Sequence, residues 1–229
     1  MIQIDEYAFQ GGKYLLYGDR SAKRLVVMDG TGMDEALGLM QEAKPVRDRA
    51  LFAFVPVSDW DGELTPWPSD CIPGRAFAGN GKEHAGFISL LVREIDRATG
   101  TERSARDRAI AGYSLAGLSA LYTQCVTGDF ARAASVSGAL WYPSFAEYYI
   151  NNIRFPENAR LYMSLGKQEV KRGNPLMRMG GDAADRIEKA VRETGTDVRF
   201  EWNNGNHFME PHKRIVKALD YLLEDTESA

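Results

Sequence analysis

Short apolar runs alternate along the chain with longer segments whose apolar residues recur at helical spacing. Residues 14–17 (Tyr-Leu-Leu-Tyr) and 24–28 (Arg-Leu-Val-Val-Met) read as two strands, expected to pair as a hairpin across the intervening Gly-Asp-Arg-Ser turn. A helix is predicted over 33–42, with Pro45 as its stop. Residues 51–55, Leu-Phe-Ala-Phe-Val, form the continuous apolar run expected of a strand covered on both faces. Over 83–97, Phe87, Ile88, Leu91 and Ile95 mark one face of a helix. A short strand at 108–111 runs into a helix over 114–126, whose Leu115, Leu118, Leu121, Tyr122 and Cys125 make it apolar nearly all round and therefore buried. Further strands are expected at 132–136, at 160–165 (closed by Gly166) and at 197–202. Helices are expected near 145–151, over 182–193 with Ile187 and Val191 inward, and from about Pro211, a residue favoured in a first turn. Ile215, Val216, Leu219, Leu222 and Leu223 give this last helix its stripe.

Strand and helix in alternation predict a single α/β domain over 1–229, a mainly parallel sheet with helices on both faces. In such sheets ligands lie beyond the carboxyl ends of the strands. The loops after Phe54, Ala111, Leu165 and Trp202 all belong to that edge. Residues 56–74 form a long loop with Trp60 and Trp67, and loops of that length inside a compact domain are often functional. The 138–158 connection, with Trp141 and Tyr142, leaves room for only a minimal lid over an open cleft.

Composition narrows the picture. At 229 residues the chain can bury a substantial core, and a net charge of −4 gives no electrostatic reason to expect nucleic acid. Residues 1–6 lack the basic flank and apolar core of a signal peptide, and no apolar stretch is long enough to span a bilayer. The expectation is a soluble, cytoplasmic protein with neither membrane nor nucleic acid as partner. Cys71 and Cys125 make no disulfide framework, and Cys125 falls on an apolar helix face as a small core residue. Three scattered histidines fit no zinc spacing. Gly79-Asn-Gly-Lys82 is similar to a phosphate loop but lacks its leading glycine and has Glu83 where Ser or Thr belongs. Asp59-Trp-Asp-Gly62 lacks the other ligands of a calcium loop. No metal and no cofactor are expected.

The chemistry concentrates at Gly112-Tyr-Ser-Leu-Ala-Gly117, nearly the G-x-S-x-G nucleophile elbow, in which a strained strand-to-helix turn lifts a serine hydroxyl clear of the backbone. Ala116 stands at the second small position, one methyl larger than Gly, with Gly117 beside it. The other reading of Ser114 is a helix cap. A serine nucleophile needs a base, usually a histidine oriented by a carboxylate. His84, at the start of a helix, is expected to be exposed, and His212 lies in the first turn of the last helix. His207, in a turn after a strand, suits a base arriving on a loop, against the alternative of a polar turn residue. The acid belongs after strand 160–165, where Glu169 is the nearest carboxylate; Asp182, Asp185, Asp197 and Glu201 are the alternatives. For the oxyanion hole, the amide of Leu115 is one expected donor, and the loop after 51–55 offers Ser58, Asp59 or Trp60 for the second, with Asp59 the candidate chosen.

Three segments together, Gly112-Tyr-Ser-Leu-Ala-Gly-Leu118, Ser164-Leu-Gly-Lys-Gln-Glu169 and Asn203-Asn-Gly-Asn-His-Phe208, resemble a family of α/β-hydrolase esterases. That family includes ferric-enterobactin trilactone esterases, S-formylglutathione hydrolases and bacterial mycolyltransferases. Leu64-Thr-Pro-Trp67 with Phe77-Ala-Gly79 is similar to the region those proteins carry before their third helix, so the resemblance spans roughly residues 50–223. It implies the α/β-hydrolase fold, with Ser114 as nucleophile, Glu169 as acid and His207 as base. The chain departs from the family pattern at Ala116, where Gly is usual, and some siderophore esterases of the family work with a serine–histidine pair. The implied activity is cleavage of a small-molecule ester or thioester through an acyl-enzyme. Acyl transfer to an alcohol, or ligand binding without catalysis, is the alternative. Trp60, Trp67, Trp141 and Tyr142 either line the substrate pocket or pack their loops down.

Overall fold

The computed structural model describes residues 2–171 and 174–224. The chain opens with β1 (Asp5–Phe9), β2 (Gly12–Tyr17) and β3 (Leu25–Asp29), followed by α1 (Met33–Glu42) and β4 (Leu51–Val55). Between β4 and the nucleophile segment lie α2 (Trp60–Glu63), β5 (Ser69–Ile72), β6 (Arg75–Phe77) and α3 (Gly81–Thr99). The second half is β7 (Arg108–Tyr113), α4 (Leu115–Thr127), β8 (Arg132–Val136), α5 (Phe145–Asn152), β9 (Arg160–Gly166), α6 (Pro175–Arg178), α7 (Gly180–Glu193), β10 (Asp197–Asn203) and α8 (Pro211–Leu223).

Eight strands form one sheet in the order β1-β2-β4-β3-β7-β8-β9-β10, with β5 and β6 as a separate hairpin. All neighbours from β4 to β10 run parallel, whereas β1 and β2 are antiparallel. Every residue of β3, β4, β8 and β9 is buried, as parallel strands covered on both faces require. On one face Val27, Ala53, Ile110 and Leu161 pack against Ile88 and Leu91 of α3, Leu118 and Leu121 of α4, Tyr149 of α5 and Ile187 of α7. On the other, Val26, Phe54, Ala111 and Tyr162 pack against Leu39 of α1 and Ile215, Leu219 and Leu222 of α8. Cys125 is partly buried in the first cluster, where burial pushes its thiol up to about 11, the behaviour of an inert core thiol.

The expected hairpin of 14–17 with 24–28 does not form. β2 pairs with β4, and β3 inserts between β4 and β7. A five-residue strand buried throughout needs a hydrogen-bonding neighbour on each side, and an edge hairpin supplies only one. The actual hairpin is β1–β2, turned by Gln10 (φ 47°) and Gly11 (φ 79°), the double positive φ that suits the twist of a two-residue hairpin. The expected 56–74 loop is in fact partly ordered into α2 and β5.

This topology locates the site. The chain leaves β3 toward β4 on one side and returns to β7 on the other, which opens a crevice at the carboxyl ends of β3 and β7. The register aligns Tyr113 with Val136, Val136 with Ser164, and Gly166 with Asn203. The segments that follow these positions therefore leave the sheet at one edge, within reach of each other.

Candidate active site

Ser114 stands alone between the last residue of β7 and the first of α4, at φ 61° and ψ −124°. A side-chain-bearing residue there costs on the order of 1–3 kcal/mol, so its surroundings must impose the conformation. They do so from both sides of the residue. Its N–H donates to Val136 O (3.1 Å), and its carbonyl accepts from Gly117 N (3.0 Å) and Ala139 N (3.0 Å). Its hydroxyl makes no capping bond to α4, which removes the helix-cap alternative for this side chain.

The departure at Ala116 has a packing explanation. A Cβ on Gly112 would lie 2.2 Å from Ala116 O, so the strand can approach the helix only as glycine. A Cβ on Gly30, just past β3 and at φ 64°, would lie 2.8 Å from the Ala116 Cβ. The extra methyl of Ala116 occupies space that Gly30 leaves open. Gly30→Ala is expected to cost about 1–2 kcal/mol for the left-handed backbone and about 1–3 kcal/mol more for overpacking. Adding Ala116→Gly should restore the overpacking part alone. Urea denaturation of the two single variants and the double variant measures this, and a double variant no more stable than Gly30→Ala would refute the pairing.

Ser114, His207 and Glu169 come together. His207 Nε2 is 3.0 Å from Ser114 Oγ, and Nδ1 is 2.7 Å from Glu169 Oε2. The loops that carry Glu169 and His207 are stitched together: Lys167 N donates to Asn203 O (2.9 Å) and Gln168 N to Gly205 O (3.1 Å). The Tyr113 hydroxyl donates to the His207 carbonyl and fixes the His207 loop against β7. The other oxygen of Glu169 accepts from Gly166 N (2.6 Å) and from Arg214 Nη1 (2.9 Å). Burial acts to raise the Glu169 carboxyl, but the hydrogen bonds from His207 and Gly166 outweigh it and hold the group below its ordinary value. The alternative acids lie elsewhere. Asp197 pairs with Arg160 (3.2 Å), Glu201 accepts from Tyr162 OH (3.1 Å), and Asp182 and Asp185 lie on α7.

A cavity of about 540 Å³ opens beside Ser114, within the size range of small-molecule sites. Trp60 and Trp141 stand in its wall with Leu165, Val170, Met177 and Phe208. Trp67 and Tyr142, expected there, do not line it. Tyr142 is 2 % exposed and donates its hydroxyl to Trp67 O (2.6 Å), while the Trp67 ring packs on Tyr122 and Tyr148. These two rings hold the loops down. Asp59 is also corrected. Its N–H donates to Glu63 Oε1 (3.0 Å) and its carboxylate accepts from Gly62 N (2.9 Å), so it caps α2 and leaves no amide for an oxyanion. Leu115 lines the cavity as the first residue of α4, where an N–H has no intrahelical acceptor.

His84, expected to be exposed, is buried against Asp29, with Nε2 2.8 Å from Oδ1. His212 is half-buried, with Nδ1 3.7 Å from Glu42 Oε1, and its ring takes the space that a Cβ on Gly38 of α1 would need. Neither lines the cavity beside Ser114. Sequence reasoning missed Arg214, which is 2 % exposed and touches both the Glu169 loop and the His207 loop. Among the described residues there is no group of His, Cys, Asp or Glu that could hold a metal ion, and no helix long and apolar enough to cross a membrane.

No family model matches the chain. A Bacillus subtilis protein, YbbA, itself uncharacterised, is 25 % identical over 176 residues, covering 72 % of this chain and 70 % of that protein. Among solved structures, an IroE-like serine hydrolase from Shewanella oneidensis superposes with a TM-score of 0.75 at 14 % identity, over 97 % of this chain and 80 % of that one. The siderophore hydrolase EstB from Aspergillus nidulans superposes with a TM-score of 0.70 at 17 % identity, over 98 % and 96 %. The chain has the α/β-hydrolase fold, the fold of these serine hydrolases.

Proposed function

We propose that the protein is a serine esterase that cleaves a small-molecule carboxylic ester or thioester through an acyl-enzyme. The observation that carries this reading is the double engagement of His207, with one ring nitrogen on Ser114 Oγ and the other on Glu169. An Nδ1–H donated to the carboxylate leaves Nε2 with its lone pair toward the serine, the tautomer a general base needs. Ser114 Oγ attacks the ester carbonyl as His207 takes its proton. The tetrahedral oxyanion is met by the Leu115 amide. Collapse expels the alcohol or thiol, which leaves with the proton from His207. Water then attacks the acyl-enzyme, with His207 again as base, and releases the acid and free Ser114.

The lining supports an acyl or alcohol part that is apolar or aromatic, since Trp60, Trp141, Leu165, Val170 and Met177 flank the serine. The neighbour EstB, a siderophore hydrolase, fits a small ester as the kind of substrate. Free thiols at Cys71 and Cys125 accord with a cytoplasmic setting.

A fluorophosphonate probe tests the reading directly, because it reacts with a serine only where a base and an oxyanion site activate it. The expected result is one adduct, mapped by mass spectrometry to the peptide containing Ser114 and absent from His207→Ala. A folded wild type that does not label would instead support a protein that only binds its ligand.

A further inference from the structure

Arg214 is 2 % exposed, and its guanidinium meets four groups on three separate segments. Nη1 donates to Glu169 Oε1 (2.9 Å) and to Ser137 Oγ (2.8 Å), just beyond β8. Nη2 donates to the carbonyls of Asn204 (3.0 Å) and Asn206 (2.8 Å), in the loop that carries His207. A single planar fork therefore spans the acid loop, the end of β8 and the base loop. Lysine could not do this, because its ammonium is one compact point at the end of a flexible stem.

The division of labour on Glu169 is also specific. Oε1 is occupied by Arg214 and the Gly166 amide, which leaves Oε2 facing His207 Nδ1. Ser137 itself sits at φ 47° with its N–H donated to Ser164 O (2.7 Å), so the fork is anchored on a rigid strand end. We propose that Arg214 is a positioning residue that sets the Glu169–His207 pair: it fixes which carboxylate oxygen meets the imidazole and holds the base loop at the matching distance. The inference rests on the esterase reading above. Arg214 does not line the cavity beside Ser114, so its contribution passes through Glu169 and the carbonyls before His207.

The test is a double-mutant cycle of Arg214→Met and Glu169→Gln, with kcat and KM measured on p-nitrophenyl butyrate and thermal midpoints recorded for every variant. Arg214→Met is expected to lower kcat about 100-fold, the scale of a misplacement near 1 Å, with KM close to that of wild type. In the Glu169→Gln background the same change should cost far less, because the carboxylate it orients is gone. Arg214→Lys, which keeps the charge but loses the fork, should fall between Met and wild type. If Arg214→Met does not fold, the cycle is run with Arg214→Lys. Additive losses in kcat, or a kcat loss matched by a rise in KM, would reduce Arg214 to a structural residue and overturn the proposal. A wild type with neither turnover nor fluorophosphonate labelling would overturn the esterase reading as well; turnover without coupling overturns the role of Arg214 alone.

Discussion

Ser114→Ala should lower kcat by on the order of 10⁵–10⁶, and His207→Ala by a comparable factor. Without Oγ there is no atom to carry the acyl group. Without the imidazole, the hydroxyl loses the ring nitrogen, Nε2, that lies 3.0 Å away to take its proton. Because the two side chains act as one unit, the double variant should be hardly slower than either single. The residual rate, about 10³–10⁴ over water, belongs to binding and to the Leu115 amide. Glu169→Gln should sit between, about 10⁴ down, because a carboxamide can offer N–H to Nδ1 and favour the wrong tautomer. Burst and steady-state kinetics on p-nitrophenyl acetate measure all four, with circular dichroism to verify the fold. Turnover that survives Ser114→Ala would move the nucleophile to another residue and end this assignment.

The elements most legible in the pattern were those with one clear apolar period or one unbroken apolar run. Residues 33–42 and 51–55 appear with their expected limits because the first is amphipathic at helical period and the second is apolar throughout; 132–136 does so too, although it carries Arg132 and Ser135. Strand order was not legible, since which neighbour a buried strand takes is decided by the crossover between them, and β3 looks the same beside β2 as between β4 and β7. The segments with Ser114, Glu169 and His207 were accessible because strand ends and helix starts mark the loops. Four loop aromatics could not be separated by type. Trp60 is 37 % exposed while Tyr142 is 2 % exposed, a difference made by tertiary packing alone. Asp59 depended on the position of Glu63, which only the folded α2 supplies. Two signals were present but unused. Arg214 shares a helical face with Ala218 and Tyr221, and His84 with Ile88, Leu91 and Ile95, so both polar residues lie on buried stripes and need partners there.

His84→Ala should destabilise the fold by about 3–5 kcal/mol, because it strands a buried carboxylate. Asp29, at the end of β3 and 1 % exposed, accepts from His84 Nε2 (2.8 Å) and Gly30 N (2.9 Å) through the same oxygen. On the other side of the ring, Nδ1 lies 3.7 Å from Glu63 Oε2, and Glu63 in turn accepts the Asp59 amide. The histidine thus ties β3 and the turn at Gly30 to α2, which carries Trp60 into the cavity wall. Burial acts to lower its titration point, but Asp29 and Glu63 outweigh burial and raise it to about 10. A folded-state value above the unfolded one means that the native state binds the proton more tightly. This stabilisation is complete below an unfolded value of about 6.5 and fades as pH climbs through 10. Wild type should therefore lose stability across that alkaline window, and His84→Gln should lack that part of the slope. Asp29→Asn combined with His84→Gln should cost less than the two changes added separately, since no charge is then left buried and unpaired. Urea midpoints measured across the window for these variants decide it: an alkaline slope unchanged in His84→Gln would mean that His84 is neutral in the folded protein and that the link from β3 to α2 is not ionic.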